Sequence, residues 1–290
     1  MKKLIGSANR YLSLVRFSHT VFAMPFALVG YFLGATQPGF GFSIKTFLLM
    51  LACMVFARSA AMAFNRYADV SFDSLNPRTA GREIPSGRIP QRNALIFVIA
   101  SSLLFIAATA LLNRLTLILS PLALIIILGY SYTKRFTPLC HLVLGLGLSL
   151  APIGAYIAVT GTFALLPVVY SFVVLTWVSG FDIIYALQDD QFDRDNGLYS
   201  IPAVMSRREA LAVSVALHAV SFMLISAAGI IGQSGIIYWA GALVFTGMLT
   251  YQHMIVKPDD LSRVNMAFGT TNGVAGVLFG LAVIIDLLIP

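Results

Sequence analysis

The stretch from Arg58 to Arg92 reads R-S-A-A-M-A-F-N-R-Y-A-D-V-S-F-D-S-L-N-P-R-T-A-G-R-E-I-P-S-G-R-I-P-Q-R. It begins as apolar as a bilayer core and ends as a polar loop rich in Gly, Pro and Arg. Asn65, Asp69 and Asp73 follow one another at intervals of four, which on a helix stacks three oxygen-bearing side chains along one face. Arg58 lies seven residues before Asn65, two turns earlier on that face. A second acidic stretch, Y-A-L-Q-D-D-Q-F-D-R-D-N-G from Tyr185 to Gly197, again sets two carboxylates four apart, Asp189 and Asp193. Two carboxylate pairs at the ends of two apolar helices are the feature the fold has to serve.

Working outward, 58% of the 290 residues are hydrophobic and only 11% are charged, against roughly a quarter in soluble domains. Water cannot solvate so much apolar surface, so the expected class is an all-α integral membrane protein. Apolar stretches of spanning length fall at 18–34, 45–65, 94–112, 115–130, 140–160, 165–184, 209–230, 236–252 and 266–288. The sequence therefore predicts a bundle of nine transmembrane helices, with residues 1–290 forming a single domain and no separate soluble one. The basic start Met1-Lys2-Lys3 is followed by no early apolar run and no small-residue cleavage site, so the N-terminus is expected to be retained. Cys53 and Cys140 sit in or beside apolar segments and make no disulfide or metal pattern.

Of the 19 Lys and Arg, 16 fall on the N-terminal side of the bundle, leaving only Lys45 and Arg114 opposite and Arg58 within a helix. The positive-inside rule then predicts that the N-terminus, the long loops and the acidic stretches face the cytoplasm of a cell whose inner membrane holds the chain. The pI near 9.6 reflects this topology and contact with lipid headgroups, and nothing in it points to nucleic acid. The links at 81–90 and 197–208, with their Gly, Pro and Arg, are expected to order over the site as cytoplasmic caps. The recurrence of acidic stretches on the second and sixth segments resembles an internal duplication.

An ionisable group at membrane depth costs roughly 2.5–3.5 kcal/mol, so Arg58 and Asp182, the deepest here, are expected to face a cavity or to pair with each other or a polar neighbour. Asp69, Asp73, Asp189 and Asp193, facing a common space, would repel one another unless cations stand between them. Such hard oxygen ligands suit Mg²⁺, with water and phosphate completing its shell. Arg16, Arg58, Arg66, Lys134 and Arg135 are placed to grip an anionic phosphate from the other side. Acid pairs with bases opposite suggest a diphosphate.

On these motifs the chain resembles the UbiA-type intramembrane aromatic prenyltransferases over nearly its whole length. The family's N-D-x-x-D-x-x-x-D reads N-R-Y-A-D-V-S-F-D here, and its continuation R-T-A-x-R-x-x-P-S-G is matched from Arg78 to Gly87. The second motif, Y-A-x-x-D-x-x-x-D, is met by Tyr185, Ala186, Asp189 and Asp193, with Asp182 in a family-like place. Lys134 and Arg135 in Y-T-K-R-F-T match a basic pair after the fourth helix, and nine helices is the family number. One position departs: the first Asp of motif one is Arg66, so that carboxylate's role is lost or moved, and Arg66 is expected to touch the diphosphate instead. The run R-F-S-H-T-V-F-A-M-P-F-A from Arg16 to Ala27 resembles the branch associated with menaquinone, with His19 a candidate acceptor contact.

The resemblance implies transfer of a polyprenyl group from a polyprenyl diphosphate to the ring of a small aromatic acid in ubiquinone or menaquinone biosynthesis. The acceptor is 4-hydroxybenzoate-like or a naphthoate. Asp69, Asp73, Asp189 and Asp193 would be the catalytic metal ligands. Arg16, Arg58, Asn65, Arg66, Lys134, Arg135, Asp182 and Tyr185 would bind substrate. Tyr130, Tyr132, Tyr156 and Tyr185 are candidates to line the path of an allylic cation, and Asn272 in T-T-N-G-V-A-G is a candidate for the pocket wall. The expected partners are these substrates, Mg²⁺ and the bilayer, with no obligate protein partner. A multi-helix transporter remains the rival from another class, although its site would sit near the midplane on broken helices. A lipid-headgroup transferase of the CDP-alcohol type lacks its D-G-x-x-A-R signature here.

Overall fold

A computed structural model describes Leu14 and residues 22–289. Helices stand at all nine apolar stretches: α1 (Met24–Ala35), α2 (Ile44–Ala68), α4 (Gln91–Ala110), α5 (Arg114–Thr133), α6 (Cys140–Thr160), α7 (Leu165–Ala186), α10 (Arg207–Ile231), α11 (Ile236–Ile255) and α12 (Asn272–Leu288). Three short helices lie in the links between them: α3 (Val70–Leu75), α8 (Asp190–Asp195) and α9 (Ile201–Val204). The described residues contain no strand, only an isolated bridge between Lys257 and Asp260. The chain is thus an all-helical membrane protein.

Seven of these helical stretches are long and apolar enough to cross a membrane, against the nine expected. The described part of α1 has 12 residues, short of a span. In α11 the length suffices, but Tyr238, Trp239, Gln252 and His253 interrupt the apolar run. The fourth stretch, expected to be the shortest, forms a full helix of 20 residues.

Local chemistry sets the ends and bends. Asn113 caps α5 by accepting from the Thr116 amide at 3.0 Å, while Thr116 Oγ1 accepts from the Asn113 amide at 3.3 Å, a reciprocal box that satisfies two otherwise orphaned donors. Inside α5, Pro121 leaves the Leu117 carbonyl without its amide partner, and the Ser120 hydroxyl donates to it at 2.9 Å. At the far end of α6, Gly161 takes φ +68°, the left-handed turn that reverses the chain tightly into α7.

Of four buried apolar clusters among the described residues, two bear most on the site. Trp177 and Tyr170 of α7, Phe26 of α1, Phe245 of α11 and Phe279 of α12 are fully buried together or nearly so. Their rings meet tilted or edge to face, with centroids 5.3 Å apart for the edge-to-face pair Trp177 and Phe245. A second cluster joins Ala63 of α2, Ala94 and Val98 of α4, and Ile84 and Ile89 of the link between them, so that the first expected cap is anchored by its own apolar side chains. α1 lies so close to α6 that a Cβ on Gly30 would collide with the Pro152 carbonyl. Small residues at helix crossings permit this where lipid offers no hydrophobic drive between helices.

Candidate active site

Between α2, α4, α5, α6 and α7 lies a cavity of about 700 Å³. Its charged residues gather where the helices meet the 69–90 and 187–200 links, and its apolar walls run along the helices to Leu112 and Phe163 in the opposite links. It is therefore a bore, charged at one end and greasy along the rest.

At the charged end each candidate metal ligand faces a base. Asp73 takes Arg82 through both oxygens at 2.8 and 2.9 Å. Asp189 is gripped by the Arg78 guanidinium through Nε at 2.9 Å and through a second nitrogen, and it accepts from Asn76 at 3.0 Å. Asp193 pairs with Lys134 at 2.7 Å and accepts from the Ser200 hydroxyl at 2.8 Å. Asp69 is met more loosely, by Arg135 at 3.5 Å, and accepts from Asn65 at 2.9 Å. Burial, and then the charge of Asp73, push the Asp69 carboxyl up to about 6, with Arg135 pulling the other way. The sequence reading required outside cations to hold four carboxylates together; here Arg78, Arg82, Lys134 and Arg135 already supply the compensating charge.

This arrangement bears on a metal. Among the described residues no cluster of three or more His, Cys, Asp or Glu converges on one point. The carboxylates come as two couples, Asp69 with Asp73 and Asp189 with Asp193, each within electrostatic reach of its neighbour. Both couples line the one cavity. Hard oxygen donors taken one or two at a time fit Mg²⁺, which keeps water and phosphate in its shell.

Deeper in the bore Arg58 lines the wall with its Nε buried and unbonded among the described residues. The expected alternative, a pair with Asp182, does not form: Asp182 meets His141 Nδ1 at 2.7 Å. Tyr130 lies within electrostatic reach of Arg58, Asp182 and Asp69. Tyr185 accepts from Arg78 at 3.1 Å and stacks on Phe268 at 4.2 Å between centroids. Arg135 is fixed by the rings of Tyr132 and Phe72, 4.8 and 5.5 Å from its guanidinium carbon.

The second expected cap also closes on the site. The Tyr199 amide donates to the Lys134 carbonyl at 2.7 Å, Ser200 reaches Asp193, and the Ile201 amide donates to His141 Nε2 at 3.3 Å.

Of the predicted site residues, Arg58, Asn65, Arg66, Asp69, Asp73, Lys134, Arg135, Asp182, Tyr185, Asp189 and Asp193 all line this cavity. Arg16 and His19 lie outside the described residues. Three expectations change. Arg66 is turned to Glu83 at 2.9 Å, both side chains buried, so it straps α2 to the first cap. Asn272 is fully buried outside the cavity, where it binds Trp177 and Gln252 and satisfies the carbonyls of Ala267 and Phe268. Those carbonyls belong to a π-helical turn, Met266–Thr271, leading into α12, so Asn272 braces the turn that carries the cavity residue Phe268. Tyr132 and Tyr156 are not part of the cavity wall, whereas Tyr130 and Tyr185 are. Sequence reasoning missed Arg78 and Arg82 as direct partners of the acids, although they sit in the quoted motif. It gave no sign of His141, a lone histidine at a helix start.

Fold and cavity together define a membrane-embedded helical protein that sets acids against bases over an apolar bore. The chain belongs to the UbiA prenyltransferase family, whose model matches residues 23–279. It is similar to a 4-hydroxybenzoate octaprenyltransferase from Aeromonas salmonicida, 29% identical over 84% of either chain. Another from Nitrosomonas eutropha is 31% identical over 81% of this chain and 82% of the relative. An apo UbiA homolog from Aeropyrum pernix K1 superposes with a TM-score of 0.83 at 37% identity, covering 92% of this chain and 98% of that one. A UbiA homolog from Archaeoglobus fulgidus bound to DMAPP and Mg²⁺ shares the fold, with a TM-score of 0.74 at 20% identity over 97% and 100% of the two chains. The protein is accordingly an enzyme, an aromatic prenyltransferase.

Proposed function

We propose that the enzyme moves a polyprenyl group from a polyprenyl diphosphate to a ring carbon of a small aromatic acid of the 4-hydroxybenzoate kind, using Mg²⁺, in the assembly of a quinone. The observation that carries this reading is the bore: paired acids and bases at one end, an apolar channel along its length, and an unengaged arginine within it. The working unit is the whole of residues 1–290, and the basic bias of the flanks supports a cytoplasmic charged end.

In this reading Asp69, Asp73, Asp189 and Asp193 hold Mg²⁺, with Asn65 orienting Asp69. The bound metal supplies charge neutralisation for the diphosphate and its departure. Arg78, Arg82, Lys134 and Arg135 turn from their carboxylates to the phosphate oxygens and stabilise the charge that grows there. Arg66 stays with Glu83 and takes no part in binding. The apolar bore holds the isoprenoid tail and keeps water from the allylic cation, while the ring faces of Tyr185 and Phe268 lie beside its path. Arg58, desolvated and without a fixed anion among the described residues, holds the acceptor's carboxylate.

Membranes carrying the protein, given geranyl or longer polyprenyl diphosphates and a panel of 4-hydroxybenzoate and dihydroxynaphthoates, should yield a prenylated acid identified by mass. Excess EDTA should abolish it. A wild type that releases no diphosphate with any acceptor overturns the reading and favours a transporter.

A further inference from the structure

Five carboxylates line the cavity, and four of them face an arginine or lysine. Asp182 differs: its ion-pair partner is His141, and its second oxygen has no bond among the described residues. Hydrogen bonds on both ring nitrogens fix the imidazole's position. The Ile201 amide lies 3.3 Å from His141 Nε2, and Nδ1 lies 2.7 Å from one oxygen of Asp182. Asp182 is thus a carboxyl held through one oxygen, with the other left for a proton.

Its depth suits the acceptor. On a helical rise Asp182 lies roughly 10 Å further into the bore than Asp189, and Arg58 roughly 16 Å further than Asp69. An aromatic acid with its carboxylate on Arg58 and its reactive edge toward the diphosphate brings its ring to the level of Asp182, and Tyr130 is within electrostatic reach of both groups.

We propose that Asp182 is the base that takes the ring proton of the acceptor, and that His141 is its positioning residue, aligned by the seated 198–206 cap through Ile201. The assignment rests on the functional reading above. The prenyl C1–oxygen bond breaks with its electron pair leaving on the diphosphate. The ring carbon bonds to C1, its C–H pair returns to the ring, and the proton passes to the free oxygen of Asp182 and then to water when the product leaves. Because Ser200 and Ile201 are neighbours, one segment reaches both Asp193 and His141. The base is therefore aligned when the cap is down.

The test uses the full chain in detergent, geranyl diphosphate, and 4-hydroxybenzoate either unlabelled or deuterated at both positions ortho to its hydroxyl. In the wild type proton loss is fast after bond formation, so the deuterium effect should be close to unity. Asp182→Asn should slow turnover about 100-fold and bring out a deuterium effect of about 2 or more. His141→Ala should slow it about tenfold, with an effect above unity and the KM for the diphosphate unmoved. His141→Asn, which keeps a donor near Nδ1, should recover part of the rate. A misfolded fraction lowers the rate without touching the isotope effect, so a fall in rate at an unchanged effect overturns the assignment. So does Asp182→Asn turnover within threefold of wild type. A wild type that prenylates no aromatic acid overturns the functional reading itself.

Discussion

Of the four candidate metal ligands Asp69 is the least tied to a base, and burial holds its carboxyl up to about 6. Under the proposed function, a protonated Asp69 would offer a metal no anion, so protons and Mg²⁺ would compete for it. The Mg²⁺ concentration needed for half-maximal rate should therefore climb as pH falls through about 6, by up to about tenfold per unit; a flat requirement from pH 7 to 5 would remove Asp69 from the ligands. Asp69→Asn and Asp189→Asn should each cost about 100-fold in turnover, but their stabilities should part. Asp189→Asn leaves the clamped Arg78 without its anion and should lower the melting temperature, while Asp69→Asn should leave it nearly unmoved. Arg135 sits between two rings and donates to the Ala68 carbonyl at 2.6 Å, a geometry lysine cannot copy. Arg135→Lys should raise the KM for the diphosphate about tenfold; unchanged kinetics in both Arg135→Lys and Lys134→Arg would reduce the pair to topology anchors.

At the scale of the helix, sequence reading succeeded where one physical term dominates. Apolar stretches in a lipid-solvated chain must become helices, since every backbone polar group has to be satisfied within its own segment, and the stretches at 140–160 and 266–288 were legible almost to the residue. Asn65, Asp69 and Asp73 do line one cavity as their spacing suggested, although α2 ends at Ala68 and Asp73 stands on α3. Partnerships across elements were not legible. Arg66 finds Glu83 across a loop, and His141 finds Asp182 across two helices, because fold rather than periodicity brings them together. Asn272 was misjudged for a related reason: a π-helical turn changes which face its side chain takes, and no pattern of apolar residues announces it. Helix contact yields a further expectation. Gly30→Val puts a branched side chain where the Pro152 carbonyl already sits, so overpacking of about 1–3 kcal/mol should appear as a lower melting temperature. An unchanged one would mean that α1 can move away from α6 at no cost.

Across the whole molecule the charged end of the bore joins two halves of the chain. Arg78 from the first link reaches Asp189 beyond α7, and Lys134 beyond α5 reaches Asp193. These ties draw the two acidic stretches to one cavity, as the repeated motif suggested, while the identity of each partner came only with the structure.

That mutual neutralisation has a thermodynamic corollary. Under the proposed function, metal alone would find its carboxylates occupied by guanidinium and ammonium groups, and diphosphate alone would find those cations occupied by carboxylates. Each ligand, arriving by itself, must break pairs whose freed halves then stand uncompensated. Arriving together, each takes up the halves the other releases. The two affinities are therefore linked, and reciprocity demands that each raise the other by the same factor. Calorimetry with Mg²⁺ alone, inorganic diphosphate alone and both together should show binding of each strengthened about tenfold or more by the other. Independent binding would mean that the pairs persist in the loaded enzyme.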